Sequence, residues 1–146
     1  MPVGGDHFTN DVAVALRTIA ALRQIPPEAQ PEAVWGTEVW RDLDWMNDGD
    51  KVLLDCTPHE NLSASLMAIY DSQVCGGKRY DLATAGRRKA HATYWETHGT
   101  DVYAAINFAM DLTPLIANPR LEPMQLVEEY IDRFTEEVAN RVGRLA

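Results

Sequence analysis

Cysteine is nearly missing from this chain: Cys56 and Cys75 are the two present in 146 residues. Their spacing builds neither a disulfide framework nor a cysteine zinc site, and each reads as a small apolar residue. Positive charge is also scarce. Thirteen Lys and Arg stand against 22 Asp and Glu, a formal net charge of −9. That balance argues against nucleic acid, whose phosphates need a net basic face, and against an anionic membrane surface. No apolar run approaches the roughly 18 residues of a membrane span, and the N-terminus has no basic region followed by an apolar stretch. A cytoplasmic location is therefore expected. There is also no Gly-x-Ser-x-Gly elbow, P-loop or dinucleotide glycine fingerprint.

What is present fits a single domain spanning residues 1–146, with 46% hydrophobic residues to build a core. Thr9 or Asn10 can cap a helix with apolar positions Val12, Leu16, Ile19 and Ala20, ended near Arg23 by the prolines of "IPPEAQPEA". Aromatic and β-branched residues predict a strand over Ala33–Trp40, and "RDLDWMNDGD" predicts a polar turn. "KVLLDCT", Lys51–Thr57, is a short continuous apolar run, the pattern of a strand in a parallel sheet. Thr57, Pro58 and Glu60 then predict a capping box. It opens a helix with Leu62, Leu66, Ile69 and Tyr70 on its core face, running to about Gln73.

A further helix is expected from Asp81 or Thr84 to about His98, closed by Gly99. Val102, Ile106 and Met110 favour helix in the next segment, and Pro114 ends it. The last helix starts near Pro123 and carries the stripe Val127, Tyr130, Ile131, Phe134, Val138 and Val142. Strands alternating with helices point to a helix-rich α/β fold with few strands. Two strands leave open edges, one of them the apolar "KVLLDC". Either a larger domain or a second copy is expected to cover it.

The densest chemical signal is "SQVCGGKRYDLATAGRRKA", with Lys78, Arg79, Arg87, Arg88 and Lys89 within twelve positions. Gly76 and Gly77 let backbone N–H groups approach an anion, and the arginines suit phosphate, carboxylate or sugar hydroxyls. The competing reading is that these cations balance nearby carboxylates. Three of the four tryptophans, Trp35, Trp40 and Trp45, fall in one stretch, and such rings stack on sugars or fill cores. Glu38 lies between two of them and needs a partner such as Arg41 or Arg79. Ser63, Ser65 and Ser72 read as polar filler on a helix. His91 and His98, seven apart, are too far along a helix to share an ion. Asp6, His7 and Asp11, near a helix start, are the better metal candidates, though a catalytic zinc needs three protein ligands.

Three stretches, "WGTEVWRDLDWMNDGDKVLLDCTPHENL", "DSQVCGGKRYDLATAGRRKAHATYWETHGTD" and "AMDLTPLI", resemble the C-terminal half of the PIG-L/LmbE-type deacetylases. The positions that carry the likeness are Asp55, Ser72-Gln73, Arg79-Tyr80 and Arg87-Arg88, and it extends over roughly Ala13 to Leu145. The resemblance implies a partial Rossmann-like three-layer α/β arrangement and zinc-dependent removal of acetyl groups from N-acetylglucosamine-type substrates. It makes His7 the zinc ligand, with Asp11 where a second histidine would stand. It makes Arg79, Tyr80, Arg87, Arg88 and Glu38 substrate contacts.

The family's Ala-His-Pro-Asp-Asp-Glu motif, which supplies two ligands and the general base, does not occur in this chain. The expectation is therefore the binding side of a deacetylase, inactive alone, that takes an amino sugar or sugar phosphate and awaits an N-terminal partner chain. The alternatives from other classes are a homo-oligomerisation module, using the strand edge and the last helix, and a metal-free sugar- or phosphate-binding module.

Overall fold

The computed structural model describes the backbone of residues 6–38, 42–96 and 98–145, and the side chains of all of these except 6–11, 72 and 73. It is helix-rich, with a small three-stranded sheet ordered β1-β3-β2 by the strands β1 (Trp35–Gly36), β2 (Val52–Asp55) and β3 (Ile106–Asp111). The helices are α1 (Asp6–Leu22), α2 (Glu60–Ala68), α3 (Asp71–Cys75), α4 (Tyr80–Trp95), α5 (Thr113–Ala117) and α6 (Pro123–Gly143). The contacts divide the chain into two compact units, 1–52 with 110–146, and 53–109.

In the first unit, β1 runs antiparallel to the end of β3, with Trp35 opposite Asp111 and Gly36 opposite Met110. The pairing extends one step, since Leu112 N–H donates to Val34 O at 2.8 Å. Gly36 leaves room for Leu112: a Cβ there would lie 2.8 Å from its Cδ1. The core of this unit is Ile19, Leu43, Met46, Leu115, Ile116, Leu126 and Tyr130. Arg23, one residue past α1, ties it together by donating from Nε to Leu115 O and from Nη2 to Leu121 O, both at 2.6 Å. These satisfy carbonyls around the end of α5 that have no helical partner. Glu122 and Gln125 form a reciprocal capping box at the start of α6. Arg133 lies over the Tyr130 ring, 4.5 Å from its centroid, and pairs with Asp50 at 2.6 Å. Burial pushes the Tyr130 hydroxyl above the usual phenol range, against a smaller opposing effect of Arg133.

In the second unit, Cys56 N–H donates to Ala105 O at 2.9 Å, so the end of β2 meets the beginning of β3. The two strands are therefore antiparallel. The parallel sheet expected for Lys51–Thr57 is replaced by this pairing, and the order leaves β2 as an edge strand. Ala92, Ile106, Phe108 and Ala109 are buried here. The Phe108 ring sits 4.5 Å from His91 and 5.7 Å from Trp95.

Four other expectations differ. The segment around Ile106–Met110 is the central strand and not a helix, because its consecutive apolar side chains are covered on both faces. The strand expected over Ala33–Trp40 shrinks to Trp35–Gly36, with residues 39–41 outside the described residues. Thr57 makes no helix cap: its Oγ1 accepts instead from Ala104 and Ala105 N–H at 3.0 and 3.4 Å, and a 3-10 turn precedes α2. The helix meant to reach Gln73 breaks at Ile69–Tyr70, and Leu62, Leu66, Ile69 and Tyr70 are all more than half exposed.

Candidate functional site

Within the second unit a cavity of about 390 Å³ lies among α2, α3 and α4. Its floor is Cys56 and Ala105, the residues whose hydrogen bond joins β2 to β3. Small side chains make room for it. Ala64 and Ala68 of α2 and Ala85 of α4 line the walls where larger residues would close the gap, and Met67, Val74 and Leu82 supply apolar surface. Both charge signs reach it: Glu60, Asp71 and Asp81 on one hand, Arg88 and Lys89 on the other.

The basic segment divides sharply. Arg79 stands just before α4 and grips Asp81 with two hydrogen bonds, Nε to Oδ1 at 2.9 Å and Nη2 to Oδ2 at 2.7 Å. The guanidinium holds the Asp81 carboxyl down at about 2. For Arg79 the charge-balancing reading fits. Tyr80 opens α4, its N–H donating to Lys78 O at 2.8 Å, and Arg87 lies half-buried farther along the helix.

Arg88 differs. It lies half-buried on the cavity wall and donates from Nη1 to the neutral Ser63 Oγ at 2.5 Å. Its Nε is buried and has no hydrogen-bond partner, and Arg88 makes no ion pair among the described residues. A guanidinium has five N–H donors, and a buried one left unsatisfied costs free energy until something accepts from it.

Ser63 is the residue that sequence reasoning missed. Its position on α2 looked like filler, and its partner lies 25 residues away on another helix. The signal in the sequence was limited to the small residues around it, Ser63, Ala64, Ala68 and Ala85, which open the space. Of the remaining predicted contacts, Glu38 belongs to the first unit and accepts from the Trp45 indole N–H at 3.4 Å. It is thus assigned to a different unit from Arg79, Tyr80, Arg87 and Arg88.

The metal candidates are untouched by this geometry. His7 and Asp11 fall on the first turns of α1, and their side chains lie outside the described residues, as do those of Ser72 and Gln73. Among the described residues no three His, Cys, Asp or Glu converge on a point that could hold a metal ion. Cys75 is an unpromising nucleophile: a hydrogen bond from its thiol to Asp71, with the charge of that carboxylate, pushes its pKa up. No helix among the described residues is long and apolar enough to cross a membrane. No protein-family model matches the chain, and neither does any curated protein or any solved structure.

Proposed function

We propose that this chain is a metal-independent binding domain for a sugar phosphate or similar small anion, held in the α2–α4 cavity with Arg88 as the anion contact. The observation that carries the reading is the Arg88 guanidinium, placed on a cavity wall with a buried Nε that nothing accepts from. A phosphate or carboxylate oxygen satisfies that donor and supplies the missing counter-charge, and a forked guanidinium is the side chain best shaped to receive it. The apolar wall of Met67, Val74 and Leu82 suits the ring face of a sugar. Lys89 adds a second cation on the same helix.

The test is calorimetric titration with glucosamine 6-phosphate and, separately, inorganic phosphate. Arg88→Ala should weaken binding of the sugar phosphate at least about tenfold, the scale of one charged hydrogen-bonded contact. Arg79→Ala, whose arginine is already occupied by Asp81, should change it less than about twofold. Equal responses from the two variants, or no binding by the wild type, would remove the proposal.

The deacetylase reading is a separate proposal that rests on the sequence resemblance. In it His7 and Asp11 take zinc together with ligands from an N-terminal partner chain, and the isolated chain does not hydrolyse N-acetylglucosamine. Zinc content of the purified protein, wild type against His7→Ala, tests it: equal content in both removes His7 as a ligand.

A further inference from the structure

The last helix carries a pattern that its core contacts do not use. Leu126 and Tyr130 of α6 are buried in the first unit, yet Met124, Ile131 and Val138 on the same helix are 58%, 41% and 43% exposed. These three stand seven residues apart, and Leu145, just beyond the helix and 90% exposed, continues the series. Seven residues are nearly two full turns, so the four side chains form one line that drifts by only about 20° per step. Single exposed apolar residues need no explanation. A line of four at the repeat of a helix–helix seam is different, because that repeat keeps a stripe facing one straight partner.

We infer that this stripe pairs with the same stripe of a second copy, in an antiparallel arrangement. The spacing is symmetric about a point between Phe134 and Thr135. Turning one helix end for end sets Met124 against Leu145 and Ile131 against Val138, each contact occurring twice, as a two-fold interface requires. Charge selects the direction. Glu122, Glu128, Glu129 and Asp132 crowd the first half of the segment, and Arg141 and Arg144 close it. Antiparallel packing brings the basic end of one copy beside the acidic half of the other, whereas parallel packing sets like charge beside like.

The strip is about 32 Å long and one helix wide, below the roughly 800 Å² per partner of a standard stable interface. The dimer is therefore weak and concentration-dependent, with a dissociation constant on the order of 10–100 µM.

Sedimentation equilibrium of the full chain across that range should show a reversible monomer–dimer transition. Ile131→Glu and Val138→Glu together should leave only monomer, with the circular dichroism spectrum unchanged because both positions are exposed. A strict monomer at every concentration, or a dimer indifferent to both glutamates, overturns the inference. Orientation is read in a Cys56→Ser/Cys75→Ser background. Met124→Cys/Leu145→Cys should give a disulfide-linked dimer on oxidation, and Met124→Cys alone should not. Efficient cross-linking by Met124→Cys alone would mean a parallel pair and would sink the charge argument. The proposal is independent of the cavity: sugar-phosphate binding and self-association can each fail alone.

Discussion

Two half-buried arginines, one in each unit, are used in opposite ways. Arg23 of the first unit points two donors at main-chain oxygens, and those bonds close the end of α5. Arg88 of the second unit has one neutral hydroxyl for a partner and a buried nitrogen with none. The surroundings differ in the same sense. The first unit buries Leu43, Met46, Leu115, Ile116, Leu126 and other large side chains, whereas two of the four apolar residues buried in the second are alanines. Small side chains leave space, and space beside an unsatisfied cation is where a ligand can be accommodated. A unit that fills its interior gains stability from it, and one that leaves a cavity gives up some of that stability for binding.

The sharpest challenge to this contrast is a large truncation in each unit. Phe108 is 6% exposed and packs on His91 and Trp95, so Phe108→Ala should cost about 3–5 kcal/mol by chemical denaturation. Hydrogen-exchange protection should then fall first along α4. A cost below about 1 kcal/mol would mean the second unit has no core of its own to lose. Leu126→Ala, in the first unit, should cost about 2–4 kcal/mol and lower protection in α5 and α6.

Next in size is Arg23→Ala. It strips two carbonyls of a charged donor, and hydrogen bonds to charged groups each contribute about 1.5–3 kcal/mol. Partial exposure reduces this, so a net loss of about 2 kcal/mol is expected. Arg88→Ala, by contrast, removes a buried unsatisfied donor along with one bond to Ser63, and stability should change by less than about 1 kcal/mol. If Arg88→Ala proved as damaging as Arg23→Ala, Arg88 would be a structural residue like Arg23 and the contrast would collapse.

How far the sequence foretold this depends on whether the deciding interaction was local. α1, α4 and α6 were legible because apolar spacing, proline and glycine mark them within a few residues. β3 was not. Val102, Ile106 and Met110 share the four-residue spacing of a helix by coincidence, and only the strands on either side make the segment extended. The capping box was sought at Thr57 and found at Glu122, because the Thr57 hydroxyl is taken by amides nearly fifty residues away.

The cavity shows the same division. A basic segment was visible, but which arginine stays available depends on partners. Asp81 follows Arg79 by two residues and was there to be read. Ser63 faces Arg88 from another helix, and no periodicity announces it.

The smallest effect separates the two arginines within one helix region. Asp81 titrates at about 2 in place of an ordinary 3.8, first because of its hydrogen bonds from Arg79. A carboxyl lowered on folding adds stability that is complete above its unfolded value and fades as pH drops from about 4 to about 2. The pair is exposed and screened by solvent, so the acid-side loss should be shallow. Carbon-detected NMR of the Asp81 carboxyl reads the group directly. Its midpoint should lie near 2 in the wild type, climb toward 3.8 in Arg79→Ala, and stay put in Arg88→Ala. A midpoint that moved with Arg88 instead would mean that Asp81 already supplies the cavity arginine with its anion, and the donor left for a ligand would be gone.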